Sequence, residues 1–420
     1  MLHNEESNAT VDGLRRRIGE LEAALKPQDV RTIPSPPLRS QSQTAVGRLH
    51  REESEIEDAA TVLEFLAWGR TKDPDYNTVV SPEASRHPSG DAVDASSEPG
   101  IEACLDSGQS PLVWLQLLLP DRQQTKQLVT YHNECLLWFH ASLFAPALQE
   151  QLDDFFLNHD GNPESPGVNV QWLALLFAVM ASSMTSAPES TVEQWGFSYA
   201  EAQLLSRKWY KAVLTCLNTS DYMSNHSIYS VQAIATLTGP AHILGHSNSQ
   251  SVLLASAVRI AQSLGLHRLT ANARGTVTEL EIGRRVWAQL CTQDWFSTCF
   301  SEAYLIHPLH STSDAPRNCH DDDMRPLPDS VPTITSFSRF LTQIASIMPS
   351  LQDGMASSNT LYTKYEKVIL HDKRMRALAT QGRPLFLSNA PLDPRWPPYI
   401  PWARRALAMS SAHKIIMIHR

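Results

Sequence analysis

The run "WLALLFAVMASSM", from Trp172 to Met184, constrains the fold more than any other stretch of this chain. It has no charged residue and no polar face. It also falls short of the roughly 18 apolar residues that a membrane span needs. A segment of this kind cannot face water and must be enclosed by other elements, so it predicts a helix buried in a core. The 420 residues are enough for more than one domain, and 42% apolar with 19% charged residues describes a globular chain with some polar tail.

Around that run the periodicity is helical. "TKQLVTYHNECLLWFH" places Leu128, Tyr131, Cys135, Leu136 and Phe139 on one stripe, which Pro146 should interrupt. "FSYAEAQLLSRKWYKAVLTCL" gives Ala202, Leu205, Trp209, Ala212, Val213 and Cys216. "SVLLASAVRIAQSLGLHRL" gives Val252, Ala255, Val258, Ala261 and Leu264, with Gly265 as a left-handed C′ residue and Leu266 as its apolar C″ partner. "TELEIGRRVWAQLCTQDWFSTCF" adds Ile282, Val286, Leu290 and Cys291. No sustained alternating, β-branched run and no strand–helix alternation occurs. The fold class expected is all-α, as stacked antiparallel helices. The last stretch, "PWARRALAMSSAHKIIMIHR", is an amphipathic helix with Leu407, Ser411, Ile415 and Ile418 on one side. It reaches Arg420 with no capping residue, so the domain is expected to be truncated there.

The N-terminal part reads differently. In "VDGLRRRIGELEAALKP" the residues Val11, Leu14, Ile18, Leu21 and Leu25 follow an a/d seam that stops at Pro27. Residues 1–26 are therefore expected to be a short coiled-coil stub, too brief to hold a helix pair alone. Residues 27–110 are mostly a Pro-, Ser- and Gln-rich disordered linker, interrupted by a short helix near 55–69 with Ile56, Ala59, Ala60, Leu63 and Leu66 at helical intervals. The compact helical part is 111–420.

A net charge of −9 argues against the whole chain gripping nucleic acid, which needs a basic face to displace counterions. The short run Arg15–Arg17 reads as a solvated coiled-coil flank. Six cysteines, at 104, 135, 216, 291, 299 and 319, show no C-x-x-C pair and read as reduced thiols of a cytosolic or nuclear protein.

Several of these segments together resemble a known family. "SAVRIAQSLGLHRL" (256–269), "ELEIGRRVWAQLCTQDWF" (279–296), "HSTSDAPRNCHDDDM" (310–324), the terminal "AHKIIMIHR" and the upstream "EDAATVLEFLAWGR" are similar to motifs of fungal binuclear zinc-cluster regulators. The chain resembles their fungal-specific transcription factor domain, or middle homology region, over roughly 110–420. The resemblance implies a nuclear transcription regulator and not an enzyme. It also implies a homo- or heterodimer through the N-terminal coiled coil, with other transcription proteins as partners. Zinc is expected only in a six-cysteine cluster upstream of that coiled coil, a cluster this sequence lacks. DNA would then be reached indirectly or through a missing module. A coiled-coil stub with almost nothing before it and a C-terminal helix with no cap lead to the expectation of a chain cut at both ends.

Three sites carry candidate chemistry. Asp294 lies within about 60° of Trp287, Leu290 and Cys291 on a helical wheel and so shares their apolar face. It is expected to be a buried structural acid paired with Arg259, His267 or Arg268, the functional alternative being a ligand-sensing acid in a helical sensor module. In "LGHSNSQS" (244–251), Gly245-His246-Ser247 resembles the opening of a G-x-S-x-G nucleophile elbow, with Ser249 where the motif needs Gly. That alternative would make the chain a serine hydrolase or other small-molecule enzyme around Ser247. The reading preferred is a helix–helix loop in which Ser247, Asn248 or Ser249 caps a helix starting near Val252. "NCHDDDM" offers Cys319, His320 and three aspartates, but adjacent residues point apart, so a solvated loop is expected and no metal site. No catalytic, cofactor-binding or metal-binding residue is assigned.

Overall fold

Every regular element among the described residues is a helix, and none of them is a strand. The computed structural model describes residues 110–419 apart from Glu302, all within one compact unit, Glu57–Arg420. The coiled-coil stub and the linker with its helix near 55–69 lie outside the described residues. The all-α expectation holds. No helix among the described residues is long and apolar enough to cross a membrane.

Helix α1 (Pro111–Leu118) starts on Ser110, whose side chain accepts from the Leu112 N–H. Helix α2 (Arg122–Tyr131) starts on Asp121, which caps the Gln124 N–H at 2.8 Å. A π-helical turn, His132–Leu136, then leads into α3 (Leu137–His140). The extra residue in that turn rotates the chain, so the expected stripe fails beyond Leu128. His132, Leu137 and Trp138 are buried, whereas Cys135 and Phe139 are exposed. Pro146 does not end a helix. It sits in the first turn of α4 (Ala145–Asn158), where its missing N–H is harmless.

Helix α5 (Val170–Ser186) contains the opening run, and every residue from Gln171 to Met184 is buried. Asn169 caps it by accepting from the Gln171 and Trp172 N–H groups. After α6 (Glu189–Gln194) comes α7 (Tyr199–Thr219), opened by a reciprocal Ser198–Glu201 capping box. Helices α7 and α8 (Ile228–Ile243) enclose α5 from two sides, and α2 packs on a third. Pro240 inside α8 leaves the Thr236 carbonyl without its helical donor, and the Ser182 hydroxyl of α5 donates to it at 3.2 Å.

The turn Leu244–His246 joins α8 to α9 (Ser247–Ser263). Gly245 has φ 83°, and the N–H groups of Gly245 and His246 donate to the carbonyls of His242 and Ala241. That is a Schellman stop, and three residues suffice to reverse the chain. Gly265 ends α9 in the same left-handed state, φ 79°, as expected. The stripe expected on α9 is displaced: Val252 and Leu264 are exposed, and Leu254, Ala257, Val258 and Ala261 form the buried face.

Helix α10 (Val277–Ser301) contacts α8, α9 and two later helices, α11 (Ser336–Ala345) and α12 (Ile347–Ala356). Helix α13 (Leu361–Thr380) packs on α12, and α14 (Ile400–Ile418) packs on α13. Helix α14 buries Ile400, Ala403, Leu407, Ser411, Lys414 and Ile418, so Lys414 occupies a core position beside the expected Ile415.

Candidate functional site

The candidate site is built along α10, the second helix buried over most of its length. A Thr276–Glu279 capping box starts it, with the Glu279 carboxylate accepting from the Thr276 N–H at 2.8 Å. Its buried residues include Glu281, Arg284, Arg285, Gln289, Thr292, Gln293 and Asp294. Polar groups of this kind need partners inside the protein.

Glu281 and Arg285 have fully buried side chains and pair at 3.0 Å. The second acidic partner of Arg285 is Asp321, at 2.8 Å. The Glu281 carboxylate also accepts from the Arg317 N–H at 3.0 and 3.1 Å. Burial alone would lower the Arg285 pKa, but Asp321 and Glu281 together hold it raised. The "NCHDDDM" stretch is thereby latched onto α10. Of its residues, His320, Asp322 and Asp323 are exposed, as expected of a solvated loop. Asn318 and Cys319 are buried, which corrects that expectation. Asn318 accepts from the hydroxyls of Thr333 and Ser336 and donates to the carbonyls of Pro328 and Val331.

Arg284 donates to the carbonyls of Leu269 and Thr270, and the Trp287 indole N–H donates to Ser311 at 2.7 Å. At the far end stands Asp294, 1% exposed. Its partners are the backbone N–H of Leu305 (3.0 Å to each oxygen) and that of Ile306 (2.7 Å). The expected partners Arg259, His267 and Arg268 are not used, because the loop after α10 folds back and brings two orphan N–H groups to the carboxylate. Burial raises the Asp294 pKa, and the two backbone donors oppose that. Both oxygens already accept backbone N–H groups, an arrangement that holds a loop.

Ser247 is buried as the first residue of α9, and its Oγ lies 2.9 Å from His242 Nδ1. Helix α9 starts there and not near Val252, so the expected capping role of Ser247, Asn248 or Ser249 is corrected. His246 holds the N-cap position with no side-chain cap, and its ring stacks on Tyr210 at 4.3 Å. The preceding element is helix α8, whereas a nucleophile elbow needs a strand.

Sequence reasoning missed a further cluster. His132 and His140 are buried with their Nε2 atoms 3.1 Å apart, and His140 Nδ1 meets the Ser142 hydroxyl at 2.7 Å. Burial lowers the His132 pKa to about 4, and burial followed by His132 lowers that of His140. The i, i+8 spacing on one α-helix would not bring these rings together so closely, and only the π turn allows it.

Cys216, Cys291 and Cys319 are buried in separate places and Cys135 is exposed. No three His, Cys, Asp or Glu side chains among the described residues gather at metal-holding distances. The two-zinc cluster of the resemblance therefore does not fit the described part of this chain.

The helices around α5 and the latched loop that carries "PRNCHDDDM" lie within a stretch whose sequence matches a known domain family. Residues 130–375 match the fungal specific transcription factor domain, and the chain belongs to that family. Among curated relatives, it is 28% identical over 301 residues to the agnestins biosynthesis cluster transcription factor AgnL11 of Paecilomyces divaricatus, covering 66% of this chain and 42% of that protein. It is 26% identical over 322 residues to the probable transcription factor lepB of Aspergillus flavus, covering 70% of this chain and 54% of that protein. The chain thus spans about half the length of the relatives it matches.

Proposed function

We propose that this chain is the regulatory region of a nuclear transcription regulator that acts through protein contacts and not through catalysis. The observation that carries the reading is the family match across 130–375, and both relatives are named as transcription factors. The seam Val11, Leu14, Ile18, Leu21 and Leu25 would supply a dimer contact, and DNA would be engaged indirectly or through a separate module. To test this, the full chain is fused to a heterologous DNA-binding module upstream of a reporter gene. A reproducible several-fold change in transcription, in either direction, is expected. A reporter indifferent to the fusion would count against the reading. Sedimentation of the full chain and of a Leu14→Asp/Leu21→Asp variant checks the dimer, which the variant should lose.

The 2.9 Å approach of His242 to Ser247 favours a second reading, a serine enzyme. Burial of Ser247 between two helices opposes it, since a nucleophile must reach its substrate. A serine-directed fluorophosphonate should leave Ser247 unlabelled, and modification there would reinstate the enzyme.

A further inference from the structure

The corner formed by the π turn and α3 holds its two histidines in a form that admits no further proton. The Ser142 N–H points at His140 Nδ1 at 3.2 Å, so that nitrogen is an acceptor, and the Ser142 hydroxyl at 2.7 Å donates to it as well. The His140 proton therefore sits on Nε2 and is donated to His132 Nε2 at 3.1 Å. His132 then carries its own proton on Nδ1, a buried atom to which the neighbouring Asn133 offers no well-formed hydrogen bond. The two rings hold two protons on four nitrogens. Wherever a third is placed, one N–H faces another: Nε2 against Nε2, or His140 Nδ1 against the Ser142 N–H.

The helices packed on the corner do not offset the charge such a proton would bring. Helices α2, α3, α5, α8 and α11 contain no Asp or Glu. Glu134 and Cys135, on the π turn itself, are exposed. Arg122 and Lys126 of α2 pair with Asp153, and Arg339 of α11 pairs with Asp329. The Tyr131 and Tyr399 hydroxyls donate to the carbonyls of Ser186 and Thr333. On α8, the Tyr229 hydroxyl accepts from Gln151, and His242 lies in the last turn against Ser247. A charged ring here would be buried without a counter-ion, which is costly.

The corner is also strained, and it joins distant parts of the fold. Ala141 is held at φ 48°, a left-handed state that is costly for a residue with a Cβ. The Ser142 carbonyl accepts from Gln232 of α8 at 3.0 Å. Trp138 stacks on Tyr399, the residue before α14, at 5.4 Å, and meets Phe337 of α11 edge-on at 5.0 Å.

We propose that the His132–His140 pair is an acid-sensitive clasp. Protonation opens residues 132–142 locally and releases the Trp138 contacts to α11 and to the start of α14, while the helices around α5 stay folded.

Amide hydrogen exchange of the full chain, corrected for the pH dependence of intrinsic exchange, tests this. Rings freed by opening regain the ordinary histidine affinity for protons. From pH 7.5 to pH 5 the protection of 132–142 should therefore fall by about thirtyfold through His132 alone. At pH 5 it should lie about tenfold or more below that of 173–181 in α5. His132→Gln/His140→Gln, whose side chains cannot titrate, should show no such fall. Should that variant fail to fold, His132→Gln alone should make the fall smaller. Ring nitrogen-15 spectra of the wild type at pH 7.5 should show His140 bare at Nδ1 and protonated at Nε2. A His140 protonated at Nδ1 overturns the proposal. So does a glutamine variant that loses protection as steeply as the wild type, or a loss shared equally by 132–142 and 173–181, which is global unfolding.

Discussion

Helices α5 and α10 are both buried along most of their length, yet they are built from opposite materials. From Gln171 to Met184, α5 is almost wholly apolar, and α10 buries two arginines, a glutamate and an aspartate. The difference follows from the neighbours. Helix α5 is enclosed mainly by helices, which satisfy their own backbone groups and ask only for apolar contact. Helix α10 is covered in part by the irregular segments 265–270 and 303–321, whose N–H and C=O groups must find partners away from water. Arg284 supplies donors to the carbonyls of Leu269 and Thr270, while Glu281 and Asp294 supply acceptors to the N–H groups of Arg317, Leu305 and Ile306. A buried helix carries polar side chains where it must hold loops.

Substitutions in the two helices should separate packing from loop-holding. Arg285→Ala leaves Glu281 buried without its cation and releases Asp321, and should lower unfolding stability by about 3–5 kcal/mol in urea titrations. Leu176→Ala in α5 should cost about 3 kcal/mol as a cavity, lowering protection globally and not just in one loop. Asp294→Ala should cost about 2–3 kcal/mol by orphaning two buried N–H groups, with a clearly lower melting midpoint. Hydrogen exchange should then rise first around 305–306. An unchanged midpoint would remove the loop-holding role.

A pH titration probes the polar exception near α5. His132 is depressed to about 4, so the folded state binds fewer protons than the unfolded chain. Its stabilising contribution is complete above about pH 6.5, the ordinary histidine value. As pH falls from there toward 4, roughly 2–3 kcal/mol should be lost. His132→Phe should make that slope shallower, with the buried His140 supplying what remains; an equally steep slope in the variant would place the acid sensitivity elsewhere. The smallest effect expected is that of Ser183→Ala, which removes a 2.7 Å hydrogen bond to the Leu128 carbonyl and should cost about 1 kcal/mol in melting experiments.

Much of the architecture was legible because it depends on local pattern. The apolar run at 172–184 defined the central helix, the spacing in 197–217 defined the face of α7, and Gly265 marked a helix end. Asp294 was legible as a candidate buried acid because it shares a helical face with Trp287 and Leu290. Its partners were not, because Leu305 and Ile306 reach it only after the chain reverses beyond α10. The Glu281–Arg285 pair was also hidden, since i, i+4 opposite charges look the same on a solvated face as in a core. The π turn at 132–136 shifted a stripe that strict 3.6-residue periodicity places elsewhere. The all-α class, the buried central helix, the inner face of α7 and the family could be read from the sequence. Tertiary structure alone decided which charges are buried and what they hold, because a buried polar group is defined by partners distant in the chain.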